Sequence, residues 1–185
     1  MAGFYDSLRT TTTLGVKNKT KASMMWFYKE ISKSRNYFKK GAIRRIKGQL
    51  PPIGSLVHFI YDAKYKDTLP YWDAFPLVIP IDWYDDGFLG LNLHYLPYTV
   101  RAKLLDALNQ MRSVAVGDQH YLRISYTALK QIAKDRVIKH CIKRYLSDHI
   151  KSDLIAIKKE SWEKVVFLQT QQFQKETSKR VWADL

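Results

Sequence analysis

The spacing of apolar residues predicts a helix over residues 22–40, with Thr20 or Ser23 as N-cap and Gly41 as the stop. The face that we expect to pack on the core carries Met24, Phe27, Tyr28, Ile31 and Phe38. The opposite face, which we expect to point away from the core, carries Trp26, Lys29, Lys33, Tyr37 and Lys40. Upstream, the threonine run at 10–13 predicts an extended or flexible tail.

The middle of the chain has the pattern of a sheet. Residues 56–61, 75–81 and 88–93 are apolar, β-prone runs, and Asp86-Gly87 is a tight-turn signal between the last two. Pro76 and Pro80 lack an amide hydrogen, which predicts that the second run is an edge strand or faces a loop. A small curved antiparallel sheet is the arrangement that these runs favour.

The second half alternates between helical and strand-like patterns. Pro97 suits the first turn of a helix that ends at Arg112. The patterns then predict a strand at 121–125, helices at 127–134 and 135–149, strands at 154–157 and 165–169, and a polar helical tail. The predicted fold is α+β: a small twisted antiparallel sheet or SH3-like barrel wrapped by helices, with an extended basic N-terminal arm.

Length and composition set the domain organisation. The 185 residues are 46% hydrophobic and 14% aromatic, enough for one substantial core. We expect a basic arm and helix in residues 1–50 and one α+β domain in 51–185, which should stay folded without the arm. The single cysteine excludes an internal disulfide, and no secretory signal or long apolar run is present, so the sequence predicts a soluble protein.

Charge gives the first indication of a partner. Lysine and arginine number 31 against 17 acids, a net charge of +14, and residues 1–50 alone carry twelve basic and two acidic side chains. Such an excess indicates a polyanion, either DNA or an acidic protein surface. A solvated basic face is the plainer alternative for each cluster.

Three groups of cations are candidates for binding DNA or another polyanion. The first helix carries Lys29 and Lys33, and the stretch 39–48, which begins at the end of that helix, carries Lys39, Lys40, Arg44, Arg45 and Lys47. The predicted helix at 135–149 has a basic stripe of Arg136, Lys139 and Lys143.

Four aromatic side chains are candidates for intermolecular contact. Trp26 and Tyr37 alternate with lysines, so they could stack on bases or pack against a neighbouring subunit. Trp72 and Phe75 lie in a proline-stiffened segment, where burial in the core is the first expectation and an intersubunit contact the second.

Catalytic chemistry is disfavoured by the residues. Asp62-Ala63-Lys64 weakly resembles the acid and lysine of metal-dependent nucleases, but it falls on a predicted turn. Asp73 is expected to cap a turn. His58 and His94 are expected to be hydrogen-bonded sheet residues, and Cys141 a buried small hydrophobe. The sequence predicts no metal, no cofactor and no membrane partner.

A resemblance adds a biological setting. Residues 61–64, 69–78 and 87–97, followed by Arg101-Ala102 and Leu104-Leu105-Asp106, resemble proteins of T4-like tailed bacteriophages. The similarity runs from about residue 56 to 108 and extends through residues 141–146. It implies a small basic protein of the head vertex, neck or tail, among which is one that caps packaged DNA ends.

These observations predict a non-enzymatic phage virion structural component that contacts neighbouring subunits, DNA or both through a basic arm. It would act in the virion, in the host cytoplasm during assembly, and as part of a multisubunit assembly. A DNA-end-protecting or packaging factor is the alternative, and a metal-dependent nuclease ranks below both.

Overall fold

In a computed structural model, the structure describes residues 3–34, 43–46, 50–112 and 136–185, with only the backbone at 33–34, 43–46 and 111–112. The helices described are α1 (Phe4–Arg9), α2 (Thr13–Ser34), α3 (Tyr98–Arg112), α4 (Arg136–Cys141), α5 (Trp162–Val166) and α6 (Ser178–Ala183). The strands are β1 (Ile43–Ile46), β2 (Leu56–His58), β3 (Trp72–Asp73), β4 (Leu77–Tyr84), β5 (Gly87–Asn92), β6 (Ile142–Leu146), β7 (Leu154–Ile157) and β8 (Phe173–Gln174). Short 3-10 turns lie at Leu93–Tyr95, Ser147–His149 and Lys159–Ser161.

Six strands form an antiparallel sheet in the order β1-β7-β2-β4-β5-β6, and β3 pairs with β8 beside it. The predicted α+β fold is confirmed. The sheet is open, because none of the pairings in the described part of the chain joins β1 to β6, and the SH3-like barrel is therefore not formed.

Both faces of the central strands are buried. Leu77, Ile79 and Leu91 pack on the larger core under the helices, whereas Val78 and Phe88 pack on a smaller core under the loop that follows β2. Successive side chains of a strand point to opposite faces, so these strands appear in the sequence as continuous apolar runs.

The Asp85-Asp86 turn joins β4 to β5 as predicted, and Gly87 opens β5. A Cβ at Gly87 would collide with the carbonyl oxygen of Tyr145 on β6. Glycine at this position therefore allows β6 to approach closely enough to extend the sheet.

Of the two arrangements predicted for residues 75–81, an edge strand or a strand that faces a loop, the edge strand is wrong, because β4 lies between β2 and β5. Proline is tolerated there because Pro76 precedes the strand and the β4–β5 register shifts between Pro80 and Asp82. β2 pairs with β4 only at Leu77 and Val78, so Pro80 has no β2 partner that needs its missing donor.

The N-terminal segment is helical and packed, not extended. The threonine run at 10–13 lies between α1 and α2, and α2 begins nine residues before the predicted start. Leu8 and Phe27 belong to the larger core. The packed face of α2 is rotated from the prediction: Ser23 and Glu30 are buried, whereas Tyr28 is 57% exposed. The division into residues 1–50 and 51–185 stays a prediction.

Two predicted elements have the wrong type. Residues 135–149 form α4 followed by β6, where one helix was expected, and residues 162–166 form α5 where a strand at 165–169 was expected. Arg101, fully buried, donates to the carbonyls of Val165, Val166 and Leu168 just where α5 ends. The predicted strands at 56–61, 88–93 and 154–157 and the helix from Pro97 to Arg112 are present with small shifts. The predictions for 121–125 and 127–134 lie outside the described residues.

Candidate nucleic-acid interface

The predicted cations occupy different surroundings. Lys29 is exposed on α2, and Arg136 and Lys139 are exposed on α4. For Lys33, Arg44 and Arg45 the structure gives only the backbone in α2 and β1, and Lys39, Lys40, Lys47 and Tyr37 lie outside the described residues. Lys143 does not belong to the predicted basic stripe, because it lies on β6 and not on a helix with Arg136 and Lys139.

Trp26 packs on the core of its own chain, whereas it was predicted to point away from the core. Its ring is half-buried against the larger core, and Nζ of Lys164 on α5 lies 5.0 Å from the ring centroid. The ring thus joins α2 to α5 through packing and a cation–π contact. A contact of Trp26 with DNA or a neighbouring subunit stays a prediction.

Trp72 and Phe75 are half-buried inside the chain, which agrees with the first expectation for them. The Phe75 ring centroid lies 3.8 Å from that of His58. Trp72 packs beside the smaller core, with Nζ of Lys175 5.6 Å from its ring centroid. Trp72 also borders the cavity described next.

A cavity of about 470 Å³ opens between the loop after β2, the β4–β5 turn and β6. Six aromatic side chains line it: Tyr61, Tyr65, Tyr71, Trp72, Tyr95 and Tyr145. We call it the aromatic pocket. The Tyr71 and Tyr95 rings lie 6.0 Å apart at an interplanar angle of 34°, and Tyr61 meets Tyr145 edge-on at 5.0 Å. Its volume lies within the range of roughly 300–1,000 Å³ typical of small-ligand sites.

Three cations border the same pocket: Lys64, Lys143 and Arg144. Nζ of Lys143 lies 4.3 Å from the centroid of the Tyr95 ring, and burial lowers the pKa of Lys143. None of the ion pairs in the described part of the chain involves Lys143. A half-buried ammonium group without a carboxylate partner favours an anionic ligand.

The other two cations of the pocket, Arg144 and Lys64, each lie over a tyrosine ring as Lys143 does. The Arg144 guanidinium stacks 3.9 Å from the Tyr84 ring centroid and forms an ion pair with Asp86 in the β4–β5 turn. Nζ of Lys64 lies 5.4 Å from the centroid of the Tyr65 ring, and both residues are exposed, Tyr65 by 62%, so they mark the solvent-facing side of the pocket, its mouth. Lysine and tyrosine thus stand together where a ligand would enter.

The floor of the pocket includes Asp73, which is held by four donors. Its Oδ1 accepts from the backbone N–H groups of Phe75 (3.1 Å) and Gln172 (2.9 Å). Its Oδ2 accepts from Nδ1 of His94 (2.6 Å) and Nδ2 of Asn92 (3.2 Å). The bond to Phe75, two residues on, is the turn cap predicted for Asp73.

Behind Asp73 a buried polar chain continues to His58. Thr170 Oγ1 lies 3.3 Å from Nε2 of His94 and 2.6 Å from Nε2 of His58. Burial lowers the pKa values of both histidines despite the nearby Asp73 carboxylate, which raises them. Although burial alone would raise the pKa of Asp73, His94 and the surrounding donors bring it below its ordinary value. Both histidines are thus hydrogen-bonded residues of the sheet region, as predicted.

The residues considered for catalysis are engaged elsewhere. Asp62 pairs with Lys66 at 3.1 Å on the surface, and Asp86 pairs with Arg144. Cys141 is buried, donates to the Ile138 carbonyl at 3.0 Å, and has its pKa raised by burial to about 12. Within residues 3–34, 50–110 and 136–185, no three His, Cys, Asp or Glu side chains are grouped so as to hold a metal ion.

Of the residues that line this pocket, the sequence proposed Lys143 for polyanion binding and Trp72 for contact, whereas Lys64 and Asp73 were considered only for catalysis and as a turn. The tyrosines come from segments up to 84 residues apart, from Tyr61 to Tyr145, and β6 was predicted as helix. The signal that the sequence offered was composition, because the 185 residues include twelve tyrosines.

The fold and the pocket define a basic α+β protein with an aromatic, cation-lined cavity beside its sheet. The family model of the phage T4 terminal DNA protecting protein matches residues 1–185, and the chain belongs to that family. The match confirms the resemblance to proteins of T4-like phages.

Two other comparisons give no match, one with curated proteins and one with solved structures. In the described part of the chain, none of the helices has the length and apolar character that crossing a membrane requires.

Proposed function

We propose that the chain binds the ends of linear double-stranded DNA and shields them from enzymes that act at termini. The observation that carries this proposal is the match of the whole chain to the terminal DNA protecting family. It supports the end-protecting alternative over the general structural role that the sequence first favoured.

Charge and geometry support the same function. A net charge of +14 favours association with phosphates, and exposed cations such as Lys29, Arg136 and Lys139 provide contacts that do not depend on base sequence. Protection by occupying an end needs no chemical step by the protein, so the proposed activity is binding alone.

The test is a digestion assay with matched substrates. Linear duplex is incubated with the full chain and then with an exonuclease, while a covalently closed circle of the same sequence is incubated with the chain and then with an endonuclease. We expect the linear duplex to survive at about one or two protein molecules per DNA and the circle to be cut at the control rate. Protection of both substrates only at coating concentrations would contradict end binding.

We also propose that the protein acts in the virion and in the host cytoplasm during assembly, with other virion proteins as partners. The support is the phage family to which the chain belongs. A mass-spectrometric inventory of purified particles, separated into heads and tails, tests this location. Absence of the chain from both fractions would contradict it.

A further inference from the structure

The aromatic pocket combines two features that together match the chemistry of a nucleotide. Aromatic rings offer flat faces on which a base can stack, and base–aromatic stacking tolerates every base. Lys143 adds an ammonium group that is half-buried over the Tyr95 ring and has no described acid as partner. Tyr65 and Lys64 repeat this pairing at the mouth.

The two carboxylates that border the pocket leave this cationic character in place. Asp86 is neutralised by its ion pair with Arg144. Asp73 is 3% exposed, and its two oxygens accept four hydrogen bonds from residues that do not line the pocket. Lys143 and Lys64 are therefore the charges available to an incoming phosphate.

Size restricts the ligand to one nucleotide and not a base pair. A cavity of about 470 Å³ suits a single small ligand and is too small to enclose a base pair together with its two backbones. A base inside a duplex is stacked on both sides and must be flipped out at a cost of a few kcal/mol to enter such a pocket. A base at a terminus is stacked on one side only, and an unpaired terminal base needs no unpairing.

We propose that the aromatic pocket binds one unpaired terminal nucleotide of DNA, with the base against the rings of Tyr65 and Trp72 and the phosphate at Lys143. This inference rests on the proposed function and specifies how an end differs from the rest of the duplex for this protein. The exposed cations hold the duplex near its end, and the pocket supplies the preference for the terminus.

The experiment measures the binding of full-length protein to three DNAs of one sequence. They are a closed circle, a blunt linear duplex, and a linear duplex with one unpaired 2-aminopurine nucleotide at its end. We expect the overhang duplex to bind most tightly. The 2-aminopurine fluorescence should fall on binding because the base stacks on an aromatic ring, whereas the same base at an internal position should not respond.

Variants test the pocket residues. Lys143→Met keeps most of the length of the side chain and removes its charge, and Tyr65→Ala removes an exposed ring whose loss leaves the core intact. We expect each to weaken binding to the overhang duplex about tenfold or more, the range for one stacked base or one lost charge contact, and to abolish the fluorescence change. Matched controls are Lys158→Met and Tyr28→Ala, exposed residues outside the pocket that should keep the preference for the overhang.

The outcomes separate the two proposals. Equal affinity for the circle and the linear duplexes would overturn end binding as a whole. A strong preference for ends that survives unchanged in Lys143→Met and Tyr65→Ala would overturn only the pocket, and would leave an acidic protein segment as its occupant. Loss of the overhang preference in both variants, with blunt-duplex binding retained, supports the terminal nucleotide.

Discussion

At the scale of single residues, the hydrogen bonds that link Asp73, His94, Thr170 and His58 determine which ring nitrogens carry a hydrogen. The Asp73 carboxylate can only accept, so Nδ1 of His94 carries the hydrogen between them. Nε2 of His94 then accepts from the Thr170 hydroxyl, whose oxygen accepts from Nε2 of His58. In this pattern Nδ1 of His58 is an acceptor, and among the residues that the structure describes no donor reaches it.

This arrangement predicts that the protein loses stability in mild acid. Burial lowers the pKa values of His58 and His94 from 6.5, so below pH 6.5 the unfolded chain takes up protons that the folded chain does not. The free energy of unfolding should therefore fall as the pH drops from 7 to 5, by up to about 1.4 kcal/mol per pH unit for each histidine. Urea unfolding at a series of pH values measures this slope.

The variant His58→Phe separates the two histidines. A phenyl ring retains the ring contacts with Phe75 and Phe27, so the fold should persist. The fall of the unfolding free energy with decreasing pH should become smaller by the contribution of one histidine. The matched control is His149→Gln, which removes a histidine that takes no part in the hydrogen bonds between Asp73 and His58. An unchanged slope in His58→Phe would show that its proton uptake does not depend on folding.

The sequence predicted the roles of Asp73, His94 and His58 one by one, but it did not predict that hydrogen bonds connect them. Asp73 as a turn cap and both histidines as hydrogen-bonded sheet residues follow from local pattern, and each prediction is correct. Thr170 is 76 residues from His94 and 112 from His58, so nothing in the local sequence places its hydroxyl between them. Long-range polar contacts of this kind depend on the completed fold.

At the scale of elements, the errors have a common physical cause, because distant partners override local preference. Ile138 and Ile142 have helical spacing, yet β6 begins at Ile142 because Gly87 lets it pair along β5. Val165 and Val166 favour a strand by propensity, yet they end α5, where the Arg101 guanidinium donates to their carbonyl oxygens. The elements predicted correctly, such as β7 and α3, are those whose packing agrees with their own pattern.

The docking of α1 on α3 gives a prediction at this scale. The Asp106 carboxylate accepts from the backbone N–H groups of Phe4 (2.7 Å) and Tyr5 (2.8 Å), which are free donors in the first turn of α1. It caps α1 from another helix, with its charge at the positive end of the helix dipole. Asp106→Ala should lower the free energy of unfolding by about 1–2 kcal/mol and speed amide exchange at Phe4 and Tyr5.

Asp6→Asn is the control for this prediction. The Asp6 side chain is exposed in the first turn of the same helix, so its loss should cost only about 0.5 kcal/mol through the helix dipole. Equal effects of the two substitutions would mean that charge near the helix end matters and the specific cap does not.

At the scale of the whole molecule, the boundary that the charge distribution suggests near residue 50 is not a boundary in the packing. The first fifty residues hold the largest basic excess, which makes them resemble a detachable arm. The same residues supply Leu8 and Phe27 to the core and pair β1 with β7 over four positions, from Ile43 opposite Ile157 to Ile46 opposite Leu154. A segment can thus be both the most basic part of a protein and part of its hydrophobic core.

This packing reverses the expectation for removing residues 1–48. The sequence alone predicts that the remainder stays folded, whereas loss of Leu8, Phe27 and β1 uncovers apolar core that those residues bury. Burial of one such side chain contributes about 1.5–3 kcal/mol, and a domain is stabilised by only about 5–15 kcal/mol. We therefore expect the fragment 49–185 to lose its cooperative thermal unfolding, and a sharp transition near that of the full chain would contradict this.

A variant that removes charge without removing core keeps the electrostatic part of the idea testable. Lys17, Lys21 and Lys29 are exposed on α2, so changing all three to Gln should leave the unfolding transition in place. If each contacts a phosphate, the slope of log affinity for duplex DNA against log salt should become shallower by about 0.9 per lysine, roughly 2.7 in total. An unchanged slope would mean that α2 serves this protein through its packing on the core and that the phosphate contacts lie elsewhere on the molecule.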